Sequence, residues 1–444
     1  MSRTRWFTFA VVALFAAALI VPSAGAQGGG DALEATDIGV TEDTITVTVV
    51  AAIEVPGFPG LFQGSHDGVD GWAKYINNSC KPKNTCVAGR EIVVKHVDSK
   101  LGAEPAQAGF RQACQDSFAI IGTGVLLNED FDDISECVDA AGAATGLPDF
   151  AIVLTEPNEI CTGVSFGVNP AALDCATRDE HPQSYTVSAG PAEYYAKKFK
   201  DLKSAMLFPS DSASAKNSQL PIFEAINDLG LENVYQEDVS ALAQQSAYTA
   251  IVAAMRDAGV TYARSGLAFD STVKMRSEAA SQGIDMTVWD CSLQCYDEQL
   301  VAPENVDIVE GQYVYTPFLP FLGATSEAKN NKMLRNFLKN TDKTDGFAIQ
   351  AFAAGLFFQE AVEAATGGDN NNLTREGVLA AAADIHEFDA DGVLVPTEVG
   401  GRIASGCYVL MQVRNGEFVR VHPKKKGTFD CKTEPQTVEL DIIN

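Results

Sequence analysis

Apolar positions along the chain switch repeatedly between short β-branched runs and runs with helical spacing. Residues 44–51, with Ile45, Val47, Val49 and Val50 among three threonines, predict a strand. Val69, Trp72, Ala73 and Ile76 recur every third or fourth residue, which predicts a helix over 68–76. The alternation continues with a strand at 91–97, a helix at 105–117 opened by Pro105, and a buried strand at 118–121. A helix at 129–141 and a strand at 150–154 follow. One strand then one helix, repeated, implies parallel sheets covered on both faces.

An irregular stretch, 157–182, interrupts the rhythm, which then restarts. Helices are expected at 192–199, 219–229, 247–258 and 272–282, and strands at 204–208, 234–236, 261–265 and 286–289. A strand at 310–315 precedes helices at 326–340, 346–365 and 374–383, the last with Thr374 as its N-cap. Gly367-Gly368 stops the middle one. The tail turns to hairpin strands, 407–413 and 417–421, around Arg414-Asn415-Gly416. The fold class is therefore α/β, with two blocks of similar size, each a mostly parallel sheet flanked by helices.

The first residues do not belong to that rhythm. Arg3 and Arg5 precede an apolar run to Val21, and Ala24-Gly25-Ala26 has the small-residue pattern of a cleavage site. This is the pattern of a signal peptide, residues 1–26, and the run is shorter than the roughly 20 residues that cross a bilayer. Export is expected, to a periplasmic, cell-envelope or extracellular location. No cysteine stands at the cleavage site, so no lipid anchor is evident. Removing 1–26 takes two arginines and no acid, leaving 418 residues at a formal charge of −29. Such acidity excludes sequence-independent binding to nucleic acid and electrostatic docking on anionic lipid. It favours cationic or neutral small ligands. Residues 27–36 read as a flexible leader.

Export also changes the reading of the ten cysteines, because thiols outside the cytosol tend to be oxidised. Taken in order they form five neighbouring pairs: Cys80-Cys86, Cys114-Cys137, Cys161-Cys175, Cys291-Cys295 and Cys407-Cys431. Three of these lie in Asn-, Asp-, Pro- or Gly-rich stretches that suit surface loops. Metal ligation is disfavoured, since Cys291 and Cys295 have no second close cysteine pair or histidine at zinc spacing.

Catalytic patterns are missing. No G-x-S-x-G elbow, H-E-x-x-H or Walker sequence occurs, and Leu127 occupies the third glycine position after Gly122-Thr123-Gly124. No cofactor is implied. Residues 387–398 approach a calcium loop in spacing, with Glu387, Asp389, Asp391 and Glu398, but Pro396 interrupts them and Gly400-Gly401 replaces the following helix. An Asp/Gly turn is the preferred reading, and no metal is expected.

Several segments, in order, carry a resemblance. They are 44–60 leading into Gly68-Val69-Asp70-Gly71-Trp72, then Ile120-Ile121-Gly122-Thr123, Thr155-Glu156-Pro157 and residues 203–208. Ala247 to Ile251, Glu310-Gly311 with Tyr315, and the helix from Phe347 to Ala365 before Thr374-Arg375-Glu376 complete the set. With these the chain resembles the type 1 periplasmic binding proteins, particularly the branched-chain amino-acid receptors of ABC importers, over roughly 37–421. The resemblance implies two lobes joined by three hinge crossings, 37–186 with 290–388 and 187–289 with 389–444. It implies a small-molecule ligand in the cleft between them and a membrane permease as partner.

By the same resemblance Thr155 matches a threonine that contacts the ligand's amino-acid head group. Thr123 falls in the loop that holds the carboxylate, where the family's hydroxyl run is replaced by Gly124-Val125-Leu126. The family's ammonium-binding glutamate aligns with Ser271, beside Asp270, and a pocket tyrosine aligns with Ala213. Glu54, Phe58, Asp211 and Tyr313 are further candidates by position on strand-end loops. The implied function is capture of a small polar ligand, an amino acid or a related amide or metabolite, without catalysis. A sensor on the same fold, signalling to a membrane partner, and a secreted enzyme are the alternatives.

Overall fold

The computed structural model describes residues 32–55, 60–80, 86–126, 128, 130–170 and 172–442. The expected signal peptide and Phe58 lie outside the described residues. Strands β1 (Thr44–Ala51), β2 (Glu91–Asp98), β3 (Ala119–Ile121), β4 (Asp149–Ala151) and β5 (Ser165–Gly167) form a parallel sheet in the order β2-β1-β3-β4-β5. The β-branched run of β1 sits inside this sheet and is covered on both faces. Val47 and Val49 face the helices Gln63–Ser79 and Gly346–Thr366, while Val50 packs with Phe110 and Ala113 of helix Ala103–Asp116. The first two helices approach closely because Gly355 lies against the Trp72 indole. A Cβ there would stand 2.2 Å from the ring, so no larger residue fits.

After β6 (Ala172–Leu173) and β7 (Gln183–Val187) a second sheet is built from β8 (Lys203–Pro209), β9 (Glu232–Val239), β10 (Tyr262–Ser265), β11 (Val288–Cys291) and β12 (Tyr313–Thr316). The antiparallel β13 (Val409–Arg414) and β14 (Glu417–His422) extend it to the order β14-β13-β12-β11-β10-β8-β9. Its parallel part, β9-β8-β10-β11-β12, repeats the strand order of the first sheet. Ala205, Leu207 and Ala263 pack under the helices Ala247–Asp257 and Phe269–Ser281. The opposite face buries Tyr195, Tyr262, Tyr313 and Leu410. There Asp290 accepts hydrogen bonds from Tyr195 (2.8 Å), Tyr262 (3.0 Å) and Arg264 (3.1 Å), so the one carboxylate in this tyrosine layer is fully partnered.

A third, small sheet of β6, β7 and β15 (Gln436–Leu440) pairs the way out of the first block with the C-terminal strand. The chain from Leu33 onward packs as one compact unit. Its sheets place two expected crossings elsewhere. Residues 290–316 are expected with the first lobe, yet β12 pairs with β11 and β13, so the chain leaves the second sheet after Thr316. Residues 389–403 are expected with the second lobe, yet they stay on the first. Leu394 bridges Phe318, Gly400 N–H donates to Ile385 O (2.9 Å) and Arg402 Nε–H to Ser165 O (2.7 Å).

Helix ends moved where polar side chains compete for the backbone. The helix expected at 129–141 shrinks to Asp132–Ser135, because Asp130 takes the N–H of Asp132 and Asp139 takes those of Ala141 and Ala143. The helix expected from 326 starts at Lys332, capped by Asn331, since Glu327 is held by Arg420 (2.5 Å). The irregular 157–182 stretch hides strand β5. All five neighbouring cysteine pairs are joined in the structure, and among the described residues no cysteine is free. Residues 387–398 form a turn in which Phe388 and Thr397 pair and Glu398 binds the N–H of Gly401 and His386 Nδ1.

Candidate functional site

In an open parallel sheet the strand order reverses once, and the loops leaving the carboxyl ends of the two strands at that point splay apart to leave a crevice. Here the reversals fall between β1 and β3 in the first sheet and between β8 and β10 in the second. The two crevices meet. Leu126, on the loop after β3, receives hydrogen bonds through its carbonyl oxygen from Ser212 Oγ (3.0 Å) and Ser214 Oγ (2.5 Å), at the end of the loop after β8. Ser212 also N-caps the short helix Ala213–Asn217. The candidate site is therefore the seam between these loops.

In the first block Thr123 and Thr155 lie at that edge and both are buried. Thr123 Oγ1 donates to Asp149 Oδ1 at 2.5 Å, so this hydroxyl is spent on the sheet's own carboxyl. Thr155 Oγ1 is buried with no hydrogen-bond partner, while the Thr155 N–H donates to Glu159 Oε2 (3.1 Å). Burial pushes Asp149 up to about 6, partly offset by the hydrogen bond from Thr123. Glu159 is pushed well above the ordinary carboxylate range by burial, then by Asp149. Glu54 points to solvent, with its backbone N–H bonded to Asp98 Oδ2 (3.0 Å) and its carboxylate 3.8 Å from Lys100.

In the second block the expected residues are mostly committed to local contacts. Asp211 accepts from Ser240 Oγ (2.9 Å) and the Ala241 N–H (2.5 Å), stapling two strand-end loops together. Asp270 pairs with Lys274 one turn along its helix (2.9 Å), and Lys274 also donates to Ala243 O. Ser271 is buried and bonded to the Tyr248 hydroxyl (2.6 Å). Tyr313 stands apart from this edge, at the amino end of β12, where its hydroxyl accepts from Lys198 (3.0 Å) and its ring packs on Tyr195. It belongs to the tyrosine layer, not to the loop seam, because a parallel strand presents only its carboxyl end there.

Sequence reasoning missed Asp149, Glu159, Ser212 and Ser214. The Ser-Asp-Ser run before a helix was a capping signal. Nothing in the spacing marks Glu159 as buried. Among the described residues no group of three metal-ligating side chains is arranged to hold a metal, and no helix is long and apolar enough to cross a membrane.

The sequence matches a family model described as periplasmic binding protein over residues 46–417. Comparison with curated proteins gives no match. Among solved structures, an ABC transporter substrate-binding protein from Aeropyrum pernix is similar at 18 % identity and a TM-score of 0.66, over 88 % of this chain and 97 % of that one. A fatty acid ABC transporter substrate-binding protein from Thermomonospora curvata gives 15 % and 0.61, over 86 % and 92 %. A branched-chain amino acid transporter substrate-binding protein from Streptococcus pneumoniae, in complex with isoleucine, gives 14 % and 0.60, over 86 % and 100 %. With the repeated strand order and a family match across most of its length, the chain belongs to the type 1 periplasmic binding proteins.

Proposed function

We propose that this is an exported solute-binding protein that takes a small polar ligand between two lobes and delivers it to the membrane permease of an ABC importer. The observation that carries this reading is the meeting of both strand-order reversals at Leu126, Ser212 and Ser214. A ligand at that seam would touch loops from both sheets, so binding would favour closure, and closure is a shape a permease can sense. In this reading the lobes are 37–167 with 317–403 and 188–316 with 404–422, and the small sheet of β6, β7 and β15 lies beside the crossings. One of the similar proteins is named for fatty acid and another is in complex with isoleucine, so the fold alone selects no ligand class.

Binding without turnover is the simplest chemistry for this seam. His96, His386 and His422 pair with Asp70, Glu398 and Asp430, respectively, and not with a nucleophile. The signal-peptide pattern of residues 1–26 supports delivery outside the cytosol. Thermal-shift screening of amino acids, amides and small acids tests the reading. A ligand that binds only the folded protein raises the melting temperature. No shift across such a panel would sink it.

A further inference from the structure

The chain crosses between the two blocks through β7, after Thr316 and after Ile403, and a further passage follows these. From the end of β14 in the second sheet, residues 423–435 return to the first crossing. There β15 pairs antiparallel with β7 along its whole length, Gln436 opposite Val187 and Leu440 opposite Gln183. This segment lies beyond residue 417, where the family match ends, so the family likeness does not account for it.

The start of the segment is tied to the second block. Cys431 is bonded to Cys407, just ahead of β13. Asp430 and Tyr408 exchange backbone hydrogen bonds (3.0 Å each), and the Thr433 hydroxyl donates to Glu193 on the helix Gly190–Lys198. The crossings lie hard against it. A Cβ on Gly406, in the third crossing, would stand 2.1 Å from Thr433 O, and one on Gly190, after the first, 2.6 Å from the Tyr408 ring. Packing this close leaves no slack between them. The end of the segment is held by apolar contacts to both blocks. Val438 and Ile442 are buried in one cluster with Ala151, Leu154 and Ile160 of the first block and Ala225, on the helix Leu220–Asp228 of the second. Rotating one block away from the other parts this cluster or strips β15 from β7, and either exposes apolar surface to water.

We propose that residues 423–442 form a strap across the hinge that limits how far the lobes open. The inference rests on the closing, two-lobed reading above and adds a restraint to it. The three crossings supply the pivot. The strap supplies a tether, fixed to the second lobe by the Cys407-Cys431 bond at one end and zipped to β7 at the other. With the tether in place the unliganded chain stays near its closed arrangement, so a ligand has less ordering of the lobes left to bring about and binds more tightly. With the disulfide cut, the start of the strap peels from the third crossing and the lobes open further.

The test is small-angle X-ray scattering on the full secreted chain with no ligand added. The first variant is Cys407→Ser with Cys431→Ser. The second, Gly406→Ala, keeps all ten cysteines and pushes the strap off the third crossing, which keeps the test open should the first fold poorly. The control is Cys114→Ser with Cys137→Ser, whose bridge closes a loop of nearly the same length, 23 residues against 24, inside the first lobe. The expected result is a larger radius of gyration and a longer maximum dimension in both strap variants, with the parent's dimensions in the control. Parent dimensions in both strap variants overturn the strap. A control that swells as much as they do overturns it as well, because the effect is then a general loosening. No ligand enters the measurement, so either failure leaves the solute-binding reading to its own thermal-shift test.

Discussion

Ser214 and Leu126 join the two halves of the molecule, the serine hydroxyl donating to the leucine carbonyl at 2.5 Å with Ser212 sharing the same oxygen. Neither serine side chain is exposed, so both bonds form where water is largely excluded. A hydrogen bond of this kind contributes about 0.5–1.5 kcal/mol net. Replacing both serines by alanine should therefore cost the closed form about 1–3 kcal/mol and weaken ligand binding about tenfold or more. The melting temperature should fall modestly, because Ser212 also N-caps the helix Ala213–Asn217 while the core of each lobe is untouched. Small-angle scattering of the unliganded double variant should show a larger radius than the parent. An identical radius with unchanged affinity would remove these serines from closure.

Arg375 should matter far more to stability than to binding. It is fully buried and gives its guanidinium to three backbone carbonyls, Val138 O (2.8 Å), Cys114 O (2.9 Å) and Ser117 O (2.5 Å), while its own N–H goes to Asp37 (2.8 Å). Arg375→Ala leaves these acceptors without a donor in the interior, a loss of about 3–5 kcal/mol. Urea unfolding at pH 7 measures it. Arg414→Ala, at an exposed hairpin position where the side chain bonds only Gln412, should change stability by less than about 0.5 kcal/mol.

The alternating period made the fold legible, because the hydrophobic positions of β1 and of the helix carrying Trp72 state which faces are buried. The lobe boundaries were less legible. Whether β12 belongs to one sheet or the other depends on hydrogen bonds to β11 and β13, partners up to about a hundred residues away that no local pattern reports. The site was least legible. Asp211 and Asp270 are acidic residues at the expected positions, yet they are used as staples to Ser240 and Lys274. Glu159 looks in sequence like an exposed residue in a helix's first turn, and only the packing around β4 buries it.

The disulfides should contribute in proportion to the loops they close. Cys114-Cys137 and Cys407-Cys431 span 23 and 24 residues, whereas Cys291-Cys295 spans 4. On a chain-entropy estimate the long loops are worth about 3 kcal/mol each and the short one about 2 kcal/mol. Pairwise Cys→Ser variants, melted without reductant, should rank in that order. Without prior reduction the parent should take up no iodoacetamide. After reduction in denaturant all ten cysteines should react.

Asp149 and His66 should tilt stability in opposite directions with pH. Asp149 is raised to about 6 by burial, so its contribution to the folded state is most favourable below about pH 4 and is lost as pH rises through 6. His66 is lowered to about 4 by burial and then by stacked His96, so the unfolded chain protonates first, and stability is lost as pH falls from about 6.5 toward 4. Asp149→Asn keeps an oxygen that accepts from Thr123 and removes the ionisation. It should match the parent near pH 4 and exceed it at pH 8 by on the order of 2–3 kcal/mol. His66→Gln should flatten the acid side of the curve while leaving the alkaline side unchanged. Melting temperatures of the three proteins from pH 4 to 8 separate the two effects. A constant offset between Asp149→Asn and the parent across that range would mean that Asp149 does not titrate there.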